Sequence, residues 1–143
     1  MKHPKSYDST PAIRKRMSKV KLKNGKAEIL LAKRLWGLGH RYHKNYKKLP
    51  GSPDIAITKF KIAVFVDGEF WHGKDWAIRK QALKHNREYW IEKIEENIAR
   101  DKRVDAELLQ MGWLPIHFWE KDVLKDPDTC AWAVIEQMVY DEK

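Results

Sequence analysis

Residues 54–68, with the sequence DIAITKFKIAVFVDG, decide the fold of this chain. The pattern predicts two strands, at 54–58 and 61–67, joined by a tight turn near Thr58–Lys61. The second strand is apolar at every position from Ile62 to Val66, which is typical of a strand covered on both faces. The stretch therefore indicates a hairpin at the centre of a layered domain.

The sequence on either side of this hairpin supplies helices and further strands. Apolar residues recur at helical spacing from Ala27 to Leu38, and a longer stripe predicts a second helix from Asn86 to Met111. We also expect a short exposed strand at 41–47, irregular or short-helical chain at 69–86, a strand at 113–120 despite Pro115, and a final helix at 127–142. This order of elements predicts an α/β sandwich with a small mixed sheet.

Positive charge is concentrated at the start of the 143-residue chain. The formal net charge is +9, and the first 26 residues hold nine Lys or Arg against a single acid, Asp8. We expect residues 1–23 to form a basic arm and residues 24–143 to form one folded domain. The arm residues expected to bind nucleic-acid phosphates are Arg14, Lys15, Arg16, Lys19 and Lys21. A solvated tail, or an arm for a ribosome or membrane surface, would have the same charge, so charge alone leaves the partner open.

Cysteine content and hydropathy exclude several classes of protein. The only cysteine is Cys130, which excludes an internal disulfide framework and a cysteine-rich zinc site. No stretch approaches the roughly 18 apolar residues of a membrane span. A secretory signal requires an apolar segment after its basic N-terminal residues, and this sequence has none there. We therefore expect a cytoplasmic protein with no membrane partner.

Two carboxylates flank the predicted hairpin. Asp54 starts the first strand and Asp67 ends the second, and antiparallel pairing can place the start of one strand beside the end of its partner. Phosphodiester hydrolysis with Mg²⁺ needs few protein ligands, and carboxylates and backbone carbonyls are suitable ones. Both residues also suit ordinary turns, in Pro53-Asp54 and Asp67-Gly68, so their spacing leaves both interpretations open.

Two further residues are candidates for acid–base chemistry. His72 follows Asp67 by five residues, and the ordinary pKa of histidine, near neutrality, suits proton transfer. Glu28, in the first turn of the first helix, can orient an imidazole or hold a metal-bound water. A surface histidine and an acid that merely favours a helix N-terminus are the alternative interpretations.

Adjacent aromatic residues, Phe70 and Trp71, stand in a glycine-flanked segment. Because neighbouring side chains of a strand point to opposite sides, both cannot face the core, and we expect one or both to be exposed. Exposed aromatics beside a basic arm suit base stacking or insertion at a base step. Met17 is a second candidate for insertion, or a residue that docks the arm.

The polar residues that interrupt or border the apolar stripe of the long helix are Asn97, Arg100 and Asp101. We interpret the amide and the carboxylate first as buried hydrogen-bond anchors and second as support for the site.

Taken together, six segments resemble the Vsr family of very short patch repair endonucleases, within the PD-(D/E)XK nuclease superfamily. They are RMSKVK at 16–21, AEILLAKRLWGLGHRYH at 27–43, LPGSPDI at 49–55, AVFVDGEFWHGKDW at 63–76, NREYWIEKIEENIARDKRVDAELLQMGW at 86–113 and FWE at 118–120. The combination of PGxPD, VDGxFWHG and NxxRD at these spacings is specific, although each piece alone is not. The resemblance implies a restriction-endonuclease-like three-layer sandwich, with a small mixed central sheet flanked by helices.

The resemblance also implies a site and an activity. Enzymes of this family use Mg²⁺ to nick one strand beside a T:G mismatch that deamination of 5-methylcytosine leaves. By position, Asp54 matches the metal-binding aspartate, and Val66 matches the residue whose main-chain carbonyl binds the metal. His72 matches the proposed catalytic histidine, and Glu28 the supporting glutamate.

Residues around the predicted mismatch contact are implied in the same way. Phe70 and Trp71 match the aromatics that insert beside the mismatch, and Met17 matches the residue that enters from the other side. Val66-Asp67 stands where the best-known member has Thr-His, and Asp67 can supply a second metal ligand. That member's structural zinc ligands are replaced here by Glu69, Lys74, Trp76 and Lys121. None of these is a soft ligand, so we expect no structural zinc, and the segment after the histidine should be held by packing, including that of the tryptophan.

We therefore predict a Mg²⁺-dependent endonuclease that nicks one strand of duplex DNA at a T:G mismatch or similar distortion in very short patch repair. We expect a bacterial, cytoplasmic, nucleoid-associated monomer, with mismatch-repair proteins as candidate partners. Two alternatives stay open: a restriction-like or structure-specific nuclease without mismatch specificity, and a non-catalytic DNA-binding module. The second is supported by the missing zinc ligands and by the absence of the lysine of the superfamily's E-x-K motif, since Phe65-Val66-Asp67 stands in its place.

Overall fold

A computed structural model of the chain describes residues 25–138. The helices are α1 (Lys26–Gly37), α2 (Trp76–Ala82), α3 (Arg87–Gln110), α4 (Glu120–Lys125) and α5 (Pro127–Glu136), and the strands are β1 (His43–Lys44), β2 (Ile55–Ile57), β3 (Ile62–Asp67) and β4 (Leu114–Trp119). The predicted basic arm, with Met17 and the lysine and arginine residues assigned to DNA, lies outside the described residues. Among residues 25–138, no helix has both the length and the apolar content needed to cross a membrane.

The described strands form one mixed sheet in the order β1-β2-β3-β4. β2 and β3 are the antiparallel hairpin, in which Ile55 lies opposite Val64 and Ile57 opposite Ile62. β4 runs parallel to β3 on its other side, and α3 lies in the connection between them. β4 is thus an edge strand among the described strands, and for this reason it tolerates Pro115, which has no backbone N–H to donate.

Helices cover both faces of the sheet. Because successive side chains of a strand point to opposite faces, Val64 packs with α1 and α5, whereas Phe65 packs with Leu108 of α3. In α1, Leu31 and Leu35 are fully buried in the first of these two cores, about one helical turn apart. The predicted α/β three-layer sandwich with a small mixed sheet is confirmed.

Several predicted boundaries differ from the structure. The first hairpin strand is Ile55–Ile57 rather than 54–58, so Asp54 lies just before it. The sequence pattern did not predict α4, because a six-residue helix that begins directly after β4 is too short to show helical periodicity. The last helix ends at Glu136 rather than at 142, and residues 139–143 lie outside the described part of the chain.

Hydrogen bonds between protein groups hold the loop between β3 and α2, residues 68–75. The buried carboxylate of Glu69 accepts a 2.9 Å hydrogen bond from the backbone N–H of Lys121, near the start of α4. Just after the loop, the indole N–H of Trp76 donates to Glu95 at 3.0 Å, and its ring packs beside the buried tryptophans of α3 and the loop. The expected packing by Trp76 is therefore accompanied by a carboxylate anchor at Glu69.

Phe70 and Trp71 both pack within the protein. Trp71 is only 8 % exposed and forms a buried cluster with Trp90 and Ile94 of α3. Phe70 is half-buried, with its ring edge-on to Trp71 at 5.5 Å and to Trp90 at 5.2 Å between centroids. The prediction of exposed aromatics is therefore wrong for Trp71, because α3 offers it a second apolar surface beside the main core.

We predict that Gly73→Ala destabilises the protein more than Gly112→Ala does. Both glycines have positive φ, +72° and +84°, so both substitutions carry a backbone cost. At Gly73 an added Cβ would also lie 2.8 Å from Cγ1 of Ile98, whereas at Gly112 it would meet nothing within 4 Å. The excess loss in the free energy of unfolding, measured with urea, should be about 1–3 kcal/mol. Equal losses for the two variants would show that the loop does not press on α3.

We also predict that Glu69→Ala destabilises the protein more than Glu95→Ala does. The Glu69 hydrogen bond involves a buried charge, and such bonds contribute about 1.5–3 kcal/mol. Glu95 makes its contacts with Trp76 and Lys80 at the exposed surface, where solvent screens them, so its loss should matter much less. Thermal and urea unfolding of both variants tests this difference, and the same small effect at both positions would rule out an anchor at Glu69.

Candidate active site

The end of β3 opens into a cleft of about 700 Å³. Its walls come from β3 itself, from the loop at 68–75, from the start of α1 and from one side of α3. The predicted site residues that line it are Glu28, Asp54, Val66, Asp67, Trp71, His72, Asn97, Arg100 and Asp101. The hairpin and the long helix thus bring residues far apart in the sequence to one surface.

Asp54 lies immediately before β2 and beside the end of β3. Its buried carboxylate accepts a 2.7 Å hydrogen bond from the backbone N–H of Val66. Its backbone carbonyl accepts a 3.0 Å hydrogen bond from the N–H of Asn45, just after β1. The antiparallel register therefore places this carboxylate next to the end of β3.

Asp67 ends β3 and is paired with His117, a residue that the sequence analysis did not single out. His117 Nδ1 lies 2.7 Å from Asp67 Oδ2, and its Nε2 lies 2.6 Å from Asp105 Oδ1. Because ionised carboxylates only accept hydrogen bonds, both ring nitrogens donate, which requires the protonated imidazole. Partial burial lowers the pKa of His117, but the hydrogen bonds and charges of Asp67 and Asp105 outweigh it and raise that pKa to about 9.

His72 is oriented by Asp101. Its Nδ1 lies 2.6 Å from Asp101 Oδ2, whereas its Nε2 lies 3.8 Å from Asp67 Oδ1. Partial burial lowers the pKa of His72, and the charge of Arg100 acts in the same direction, but the hydrogen bond to Asp101 and the charge of Asp67 raise that pKa overall. Nε2 is therefore the ring nitrogen turned toward Asp67.

Glu28 lines the cleft at the start of α1. Its Oε1 accepts a 3.0 Å hydrogen bond from the backbone N–H of Gly25, which satisfies a donor at the helix N-terminus. Of the two roles expected for Glu28, orienting the imidazole of His72 falls instead to Asp101, whereas holding a metal-bound water stays a prediction. The reason is geometric, since α3 runs beside the loop that carries the imidazole.

One line of polar residues on α3 supports these groups. Asn97, Asp101 and Asp105 are spaced four residues apart, so they follow one another along the same side of the helix. Buried Asn97 donates from its side-chain amide to the carbonyl of Trp71 at 2.9 Å. This spacing is the sequence signal that could have identified Asp105. His117 had no comparable signal, because its place depends on which strand pairs with β3.

Oxygen donors for a cation are available in the carboxylates of Asp54 and Asp67 and the backbone carbonyl of Val66, three residues that line the cleft. Within residues 25–138, no three His, Cys, Asp or Glu side chains form a group that could hold a metal by themselves. Mg²⁺ often binds one or two carboxylates and keeps several waters, whereas structural zinc takes a closed set of four ligands. The chemistry of these donors therefore fits Mg²⁺.

The sequence matches the family model of the DNA mismatch endonuclease Vsr over residues 7–78. It is 49 % identical over 134 residues to the type II nicking enzyme V.HpaIIP of Haemophilus parainfluenzae, which covers 92 % of this chain and 94 % of that protein. It is 50 % identical over 135 residues to the type II nicking enzyme V.NmeDIP of Neisseria meningitidis serogroup C, covering 94 % and 90 %. It is 31 % identical over 106 residues to the DNA mismatch endonuclease Vsr of Escherichia coli strain K12, covering 74 % and 67 %.

The resemblance seen in the six sequence segments is thereby confirmed. The family model spans about half of the chain, and each of the two nicking enzymes matches this chain over nearly the whole length of the chain. The chain belongs to the Vsr family of DNA mismatch endonucleases, and it is a DNA endonuclease.

Proposed function

We propose that this endonuclease nicks one strand of duplex DNA by Mg²⁺-dependent hydrolysis, at a T:G mismatch or a similar distortion, in very short patch repair. The observation that carries the proposal is the cleft in which Asp54, Asp67 and His72 lie together. Two carboxylates and an imidazole suit phosphodiester hydrolysis without a covalent intermediate. Of the three relatives described above, two are named nicking enzymes and one a mismatch endonuclease, which supports single-strand cleavage at mismatches here.

Asp54, Asp67 and the carbonyl of Val66 would hold the Mg²⁺ ion. The ion, when bound, supplies positive charge that polarises the scissile phosphate. The buried carboxylates would keep this end of the cleft negative and so favour a cation there. We propose no structural zinc, because hydrogen bonds between protein groups hold the segment around Glu69 and Trp76.

His72 would transfer the proton at Nε2. Because Asp101 engages Nδ1, the ring is fixed with Nε2 toward Asp67. The raised pKa increases the protonated fraction of the ring at any given pH, which suits donation to the leaving 3′ oxygen. Asn97 would position the loop through its bond to Trp71. The remaining supporting residues in the cleft would be Glu28 and Arg100.

Contacts with DNA are assigned to the arm and to the loop. Outside the described residues, the proposed phosphate-binding groups are Arg14, Lys15, Arg16, Lys19 and Lys21, and Met17 is the proposed inserting residue. In the loop, half-buried Phe70 is the proposed stacking group. Trp71 supports it from the buried cluster and would reach a base only after that cluster opened.

We predict that Asp54→Asn abolishes nicking but not DNA binding. The substitution removes a charged oxygen donor, and since even outer-shell changes at metal sites cost about 10–100-fold, nicking should fall by at least about 100-fold. Binding to duplex DNA in a gel-shift assay should change little, because the arm supplies the phosphate contacts. Asp122→Asn, an exposed aspartate on α4, is the matched control and should nick normally. If Asp54→Asn nicked DNA at the rate of the wild-type protein, the assignment of Asp54 to a metal site would be wrong.

We further predict that a labelled duplex with one T:G mismatch is nicked in one strand, with Mg²⁺, about tenfold or more faster than the perfect duplex. A mismatched base costs less to unstack, so the aromatic insertion is easier there. Equal rates on mismatched and perfect duplexes would favour a restriction-like or structure-specific nuclease. Binding without nicking of any substrate would favour the non-catalytic module.

A further inference from the structure

We propose that His117 is a positioning residue for the endonuclease reaction, holding the Asp67 carboxylate so that one of its oxygens stays directed toward His72 and the cation. The inference rests on the proposed function, because that function gives Asp67 to the metal. His117 touches neither substrate nor cation in this account and acts only through Asp67.

The two oxygens of Asp67 have different surroundings. Oδ2 accepts a 2.7 Å hydrogen bond from Nδ1 of His117, whereas Oδ1 lies 3.8 Å from Nε2 of His72. One oxygen is therefore tied to β4, and the other is left on the side of the catalytic imidazole. A carboxylate anchored at one oxygen cannot rotate freely about its last torsion, which fixes the direction in which the second oxygen points.

His117 is itself held from several directions. Nε2 bonds Asp105 on α3 at 2.6 Å, and the ring stacks on Phe65 with 4.7 Å between centroids and planes 10° apart. Phe65 and His117 are directly paired in the parallel β3–β4 register. Both nitrogens and one ring face are therefore engaged, so this side chain has the rigidity that a positioning group needs.

Charge balance supports the same assignment. Asp67, Asp101 and Asp105 approach two imidazoles, and Asp67 lies between both of them. Asp67 is only 8 % exposed, so its charge needs a close partner. A purely structural link between β4 and α3 would need the contact with Asp105 alone. The bond from Nδ1 to Asp67 is the feature that a positioning role adds.

Three substitutions separate these two roles. His117→Asn can place an amide N–H near the position of Nδ1 and so keep the bond to Asp67. His117→Gln can place its amide near the position of Nε2 and keep only the bond to Asp105. His117→Leu keeps neither. The full-length protein and each variant are titrated with MgCl₂ alone by calorimetry, and kcat and KM are measured for nicking.

We expect His117→Gln and His117→Leu to bind Mg²⁺ about 10–100-fold more weakly than the wild type, with a lower kcat and little change in the KM for DNA. His117→Asn should retain most of the wild-type Mg²⁺ affinity and kcat. Urea unfolding at the assay temperature establishes that each variant is folded. The proposal is overturned if His117→Gln keeps wild-type Mg²⁺ affinity and kcat, or if Asn and Gln lose both equally. A wild-type protein that neither binds Mg²⁺ nor nicks would instead overturn the proposed function.

Discussion

The hydrogen bond from the backbone N–H of Val66 to the carboxylate of Asp54 is the contact on which the arrangement of the site depends. It exists because β2 and β3 pair antiparallel, so the residue before one strand meets the end of the other. The same register places buried Asp54 and buried Asp67 in one cleft. Two buried carboxylates so placed are costly without positive charge, which the nearby imidazoles, the basic residues that line the cleft and a bound cation are able to supply.

The sheet and the helices supply different residues to the site. The sheet supplies the backbone and the carboxylates, and its parallel β3–β4 pairing adds His117 beside Phe65. The 24-residue helix α3 contributes Leu108 to a buried apolar cluster and Asp101 to the hydrogen bond that orients His72. The loop that carries His72 is short and tied to α3 and α4, so its position follows from these two helices.

Local patterns in the sequence predicted most of the elements, although not the short helix α4, and they predicted fewer of the contacts. Helical spacing in α1 and α3, and the continuous apolar run of β3, predicted the layers, because those signals come from burial on known faces. The buried state of Trp71 could not be predicted in this way, since it depends on Trp90, nineteen residues further along the chain. His117 and the orienting role of Asp101 depend likewise on long-range pairing of β4 and on the path of α3. The candidate residues Asp54, Asp67 and His72 could be predicted from the sequence, because the family resemblance favoured a role in the site for residues that local spacing alone left open.

The central claim is that the Asp54 carboxylate and the Val66–Asp67 end of β3 form one cation site beside His72. Crystals of the full-length protein soaked in MnCl₂, with diffraction data collected at the manganese absorption edge, test it most directly, because Mn²⁺ shares the preference of Mg²⁺ for oxygen ligands. We expect an anomalous peak within bonding distance of the Asp54 carboxylate and the Val66 carbonyl. A well-occupied peak elsewhere, with the end of β3 left empty, would contradict it.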